Sequence, residues 1–141
     1  DRLVEIAKSA PKITSDRIPI WNKLNKQPVK IGVAYDEVFN FYYKENIEAL
    51  EPNNAKIEYF SPLNDESLPD CDGLYIGGGY PELFSRELSD NTQMLRDIKK
   101  FHLESRPIFA ECGGLMYLMN SIHDDRVVNV YPYKSVLTDR V

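Results

Sequence analysis

The chain has 141 residues, of which 43% are hydrophobic and 28% charged, with a net charge of -5. This is the size and balance of one globular domain that can bury a core without disulfides or metals. The negative balance and the lack of a basic stripe argue against a nucleic-acid partner, and no apolar run approaches the ~20 residues that would span a bilayer, so no membrane partner is expected.

Leu3, Val4, Ile6 and Ala7 recur at helical spacing in the first ten residues, and Pro11 ends that segment. Lys12 to Pro28 is rich in breakers and reads as a linker. Lys30 to Ala34 is a short apolar run, as expected of a buried parallel strand, and Phe41 to Leu50 follows as a predicted helix with Tyr42, Tyr43, Ile47 and Leu50 available for one face. Lys56 to Phe60 and Gly73 to Ile76 are two further strands, separated by a polar loop from Ser61 to Asp72. Pro81 to Leu88 reads as a helix with proline in its first turn, and Asn91 to Leu103 as a longer one with Met94, Leu95, Ile98 and Phe101 at core spacing. Pro107 to Ala110 is a fourth strand. Leu115 to Ile122 is predicted helical, with Leu115, Leu118, Met119 and Ile122 inward, and 127–130 and 134–138 read as extended segments.

Strands alternating with helices predict an α/β fold, a doubly wound and mostly parallel sheet flanked by helices. Ligands bind such sheets beyond the carboxyl ends of the strands. Three unusual segments fall there: Asp36-Glu37, Gly77-Gly78-Gly79-Tyr80-Pro81 and Glu111-Cys112-Gly113-Gly114. They are expected to be neighbours in space.

Cys112 lies between a strand and a helix and is followed by two glycines, the layout of a nucleophile elbow. A thiol at a helix N-terminus feels the positive end of the dipole, which favours thiolate. The competing reading is a buried structural cysteine. The triple-glycine run matches neither the dinucleotide fingerprint nor the Walker loop, so a nucleotide site on this chain is not expected. Such a run either aims bare amides at a developing oxyanion, with Gly79 and Gly113 as the two donors, or is a plain flexible turn. Asp36 and Glu37, with Phe39, Phe41, Tyr42 and Tyr43 beside them, either form a rim that meets substrate or a partner domain, or cap a helix and fill the core; the second reading is favoured.

Cys71, between Asp70 and Asp72, reads as structural, and no ligand spacing supports zinc or another metal. Two cysteines without regular spacing read as reduced thiols, which with no signal-peptide pattern points to the cytoplasm. His102 and His123 are both expected to point away from Cys112, so neither is a predicted base.

From about Lys30 onward the chain resembles the C-terminal glutamine amidotransferase domain of cobyrinic acid a,c-diamide synthases, which have the class I, flavodoxin-like fold. The stretches that carry the resemblance are 31–43 (IGVAYDEVFNFYY), 60–63 (FSPL), 73–84 (GLYIGGGYPELF), 110–118 (AECGGLMYL) and 137–140 (LTDR). The resemblance implies a glutaminase that uses Cys112 as nucleophile and hands ammonia to a synthetase domain of the same polypeptide. That domain, with ATP and magnesium, would amidate the a- and c-carboxylates of a corrinoid acid; no cofactor is implied on this chain itself. Residues 1–28 are then expected to be the tail of the synthetase domain with its linker, and 29–141 an amidotransferase domain truncated at its C-terminus. The family's histidine would lie downstream of the LTDR stretch, so this chain alone is not expected to be active. Two alternatives stand beside this reading: an amidotransferase for another tetrapyrrole, of the cobyric acid or nickel-sirohydrochlorin type, and a non-catalytic docking module.

Overall fold

A computed structural model describes residues 2–11 and 27–138. The predicted linker, from Lys12 on, falls mostly outside the described residues, as does the end of the LTDR stretch. The opening segment is the helix α1 (Arg2–Ser9), amphipathic in sequence but with no buried residue.

The remaining elements are β1 (Val29–Ala34), β2 (Phe39–Phe41), α2 (Lys44–Glu48), β3 (Ala55–Phe60), β4 (Gly73–Ile76), β5 (Gly78–Gly79), α3 (Ser85–Asp90), α4 (Thr92–Leu103), β6 (Ile108–Ala110), α5 (Gly113–Tyr117), β7 (Ser121–Ile122), β8 (Asp125–Arg126) and β9 (Lys134–Ser135). The main sheet has the order β3-β1-β4-β6, with all pairs parallel. The chain first steps from β1 to β3 and then reverses to β4 and β6. That reversal makes a topological switch point between β1 and β4, where a doubly wound sheet opens a crevice. The fold class predicted from the alternation of strands and helices is the one observed.

Alternation along the strands sorts the two faces. Leu74 and Ile76 of β4 join Ala34 and Phe60 in one core with Leu88, Met94, Ile98 and Phe101 of α3 and α4. Leu95, the fourth residue read as inward on α4, is only partly buried against this core. Tyr75, between Leu74 and Ile76, faces the other way and stacks edge-on with Phe109 at 5.1 Å and Tyr42 at 5.0 Å.

Four predicted elements differ from the structure. The helix read over Phe41–Leu50 is the strand β2 followed by the five-residue α2, because residues 39–41 pair antiparallel with the glycines of β5. The helix read over Pro81–Leu88 is a 3₁₀ turn, Pro81–Leu83, and then α3. The helix read over Leu115–Ile122 is the five-residue α5: Leu115 is 43% exposed, and Ile122 is buried as part of a strand. Between 127 and 130 no strand forms, although Val127 and Val128 are core residues. The connection from β3 to β4 also lacks a helix. Its irregular loop is held by Asp36, whose Oδ2 accepts from Ser61 Oγ at 2.9 Å and from the Leu63 amide at 3.0 Å.

Tyr117 fills the core beneath α5, fully buried against the Phe39 ring at 5.3 Å. Its hydroxyl is the one buried side-chain polar atom without a hydrogen-bond partner among the described residues. A stranded polar group costs more than the contacts of its oxygen return. Tyr117→Phe should therefore raise stability by about 1 kcal/mol, read as a higher urea midpoint with an unchanged m-value. A lower midpoint would mean that the hydroxyl has a partner.

Candidate functional site

One residue, Glu111, separates the carboxyl end of β6 from Cys112, and α5 begins at the residue after Cys112. Cys112 has φ 51° and ψ -116°, a sparsely populated region for a residue with a Cβ, costing about 1–3 kcal/mol. Hydrogen bonds on both sides impose it. The Glu111 amide donates to Ile76 O at 3.1 Å, and the Gly114 amide donates to Gly77 O and Glu111 O, both at 2.9 Å. The sharp turn lifts the side chain off the sheet, and Cys112 is exposed. That removes the buried structural reading for this cysteine. Cys71 is the opposite case: it is buried, its Sγ lies under Gly32, and burial pushes its thiol pKa up.

The triple-glycine run meets this elbow backbone to backbone. A Cβ on Gly114 would lie 2.1 Å from Ile76 O, and one on Gly113 would lie 2.8 Å from Gly79 O and 3.0 Å from Gly79 N. A Cβ on Gly78 would sit 3.7 Å from Cys112 Cβ. No side chain fits between two main chains at these spacings, which is the physical reason for glycine on both sides. The orientation of Gly79 follows from the ladder. The Tyr80 amide donates to Val38 O at 3.1 Å, which brackets the Phe39–Gly79 pair as a non-hydrogen-bonded one. The N–H and C=O of Gly79 are thus left out of the bonds to β2, and both Gly79 N and Gly79 O lie beside Gly113.

In front of the thiol opens a cleft of about 470 Å³, lined by Asn40, Phe41, Tyr42, Tyr43, Gly78, Glu111 and Cys112. Phe41 and Tyr80, each about half exposed, stack edge-on at 5.2 Å at its mouth. Two larger clefts, of about 660 and 540 Å³, contain no thiol: one is lined by Tyr35, Lys44 and Tyr59, the other by Arg96, Lys99 and Arg126. Glu111 accepts from the Tyr75 hydroxyl at 2.6 Å, and burial followed by this bond pushes the Tyr75 phenol up to about 12.

Of the three segments expected to converge, the glycine run and the elbow do so directly. The first, Asp36-Glu37, does not line the cleft; Asn40 to Tyr43, which follow it, do. Asp36 itself faces its own loop, its Oδ1 accepting from the Val38 amide at 2.8 Å and the Phe39 amide at 2.9 Å; it caps the turn that enters β2 and not a helix, because the next element is a strand. Glu37 meets Asn64 at 3.3 Å. The aromatics divide: Phe39 is core, while Phe41 and Tyr43 are exposed at the cleft. His102 is exposed in the last turn of α4, and His123 is in the turn between β7 and β8; neither lines the cleft. The expected dipole at Cys112 comes from a helix of only five residues. Asn40 was not singled out by sequence, since only the pairing of β2 with β5 brings it to the thiol; Tyr42 and Glu111 stood in the segments read from sequence but without a role of their own.

Among the described residues no group of three His, Cys, Asp or Glu could hold a metal ion, and no helix is long and apolar enough to cross a membrane. The family model of the CobB/CobQ-like glutamine amidotransferase domain matches residues 30–137. The cobyrinate a,c-diamide synthase of Methanobrevibacter smithii is 79% identical to this chain over 141 residues, covering 100% of this chain and 31% of its own length. Proteins of the same name from Methanothermobacter thermautotrophicus and Methanosphaera stadtmanae are 55% and 57% identical, again over 100% of this chain and 32% and 31% of theirs. The chain thus spans about a third of the length of the curated relatives it matches.

Proposed function

Because this chain belongs to the CobB/CobQ-like glutamine amidotransferase family, we propose that its cleft hydrolyses glutamine and releases ammonia for an amidation carried out elsewhere in the whole protein. The observation that supports this most directly is the exposed Cys112 in a strained elbow with two glycine backbones beside it. The Cys112 sulfur adds to the side-chain amide carbon of glutamine, and the carbonyl oxygen takes the negative charge. The Gly113 amide, next to the nucleophile, and the Gly79 amide, beside it, receive that charge. Collapse expels ammonia with a proton and leaves a thioester, and water then restores the thiol and yields glutamate. The proposal gives neither His102 nor His123 a role in these proton transfers.

By the relatives' names, the acceptor is cobyrinate and the ammonia goes to its a- and c-carboxylates. Residues 29–141 are assigned to the amidotransferase unit, and 1–28 to the tail of the synthetase half. Among the described residues the glycine run does not fit the phosphates of ATP with magnesium. The run is filled by the Tyr42 ring on one side and by β2 backbone on the other, so it offers no phosphate cradle. The nucleotide chemistry is therefore assigned to the synthetase half, and no step here runs through it.

The test is labelling. A thiol-reactive glutamine analogue should modify the complete polypeptide at Cys112, be blocked by excess glutamine, and leave Cys71 untouched. Labelling at Cys71, or none at Cys112, would overturn the assignment.

A further inference from the structure

Tyr42 takes no part in the reaction above, yet its hydroxyl stands at a junction of the site. It donates to Ala34 O at the end of β1 and accepts from the Gly77 amide at 2.9 Å. Gly77 O in turn accepts from the Gly114 amide at 2.9 Å. One hydrogen-bonded path therefore runs from the end of β1, through Tyr42 and both polar groups of Gly77, to the helix that follows the nucleophile. The ring is as tightly placed as the hydroxyl. A Cβ on Gly77 would come within 2.5 Å of Tyr42 Cε1, and Tyr35 and Tyr75 hold the ring at 6.1 and 5.0 Å.

We propose that Tyr42 is a positioning residue that sets the triple-glycine run against the elbow, and so fixes where the Gly79 and Gly113 amides sit relative to the Cys112 sulfur. Gly77 begins a run of residues with no side chains to anchor them. Tyr42 supplies the anchor from outside, holding the N–H of Gly77 while Gly114 holds its C=O. Burial drives the phenol's pKa well above its ordinary value, so the hydroxyl remains a neutral donor and acceptor across the working pH range. The inference rests on the glutaminase reading of the site.

Tyr42→Phe in the complete polypeptide keeps the ring and removes only the hydroxyl. The kcat for glutamine hydrolysis should fall about 10- to 30-fold, with KM for glutamine within about twofold. An aldehyde analogue of glutamine, whose adduct with the thiol carries the oxyanion, should lose affinity by the same factor. Alkylation of Cys112 by iodoacetamide should keep its rate, because the elbow is intact. A fall in melting temperature with kcat unchanged, or a fall in kcat with the aldehyde bound as before, would each overturn the proposal. If Tyr42→Phe does not fold, a single 3-fluorotyrosine at position 42 retains the hydroxyl as a poorer acceptor. It should lower kcat and aldehyde affinity together by about twofold to threefold, and no change in either would overturn the proposal equally. Failure of the underlying glutaminase reading would look different: the unaltered protein would then release no ammonia from glutamine.

Discussion

Replacing Cys112 by serine should abolish glutamine-dependent amidation, by about 10⁴-fold or more, and leave amidation from free ammonia within about twofold of its original rate. Serine is close to cysteine in size, and Cys112 is exposed, so the elbow can form unchanged. What is lost is the sulfur nucleophile; an unactivated hydroxyl is a far weaker one. Ammonia supplied from solution bypasses the glutamine step and reaches the acceptor half directly. The measurement is product formation by the complete polypeptide with saturating glutamine and, separately, with a high concentration of ammonium salt at mildly alkaline pH. Equal loss on both nitrogen sources would contradict the separation of the two chemistries.

The second large effect is on stability. Gly79→Ala would place a Cβ 1.7 Å from Val38 O, 2.8 Å from Val38 C and 3.1 Å from Phe39 Cα. All three are backbone atoms of the opposing segment, so no rotamer change relieves the clash and the pairing of β2 with β5 must open. A loss of about 4 kcal/mol is expected, at the upper end of what single substitutions do. Urea unfolding followed by circular dichroism measures it. Gly73→Ala is the internal control, since its Cβ would meet Ile31 Cδ1 at 3.3 Å and Pro107 at 3.5 Å, contacts a side chain can yield. That change should cost about 1 kcal/mol or less. If Gly79→Ala cost no more than Gly73→Ala, the close backbone crossing described for β5 would be wrong.

What sequence made legible follows from where the determining forces act. The parallel strands announced themselves, because a strand such as Gly73–Ile76, buried along its whole length, is apolar along its whole length. The elbow was legible for a steric reason: glycines at 113 and 114 signal a backbone that something approaches closely, and in the structure Gly79 and Ile76 do. The β2–β5 pair was not legible. Two glycines carry no strand propensity, and residues 39–41 form a strand only because 78–79 lie opposite. The same distant pairing pulls Tyr42 out of its predicted helix face and onto Gly77. At the other end, Leu118 and Ile122 are apolar at helical spacing and invited an overlong helix. Their burial instead comes from the turn after α5 and from pairing with β8 and β9. Periodicity records which residues are buried, not which element buries them.

The position of β6 has a consequence for when the bend at Cys112 forms. The strand is three residues long, and among the described residues its only neighbour is β4. Parallel pairing across long separations completes late in folding. A chain in which β6 has not yet paired carries at position 112 an ordinary cysteine on loose backbone, without the imposed bend or the glycine backbones beside it. The bend at position 112 is thus a product of the finished sheet, since the bonds from Glu111 to Ile76 and from Gly114 to Gly77 exist only once β4 and β6 have paired.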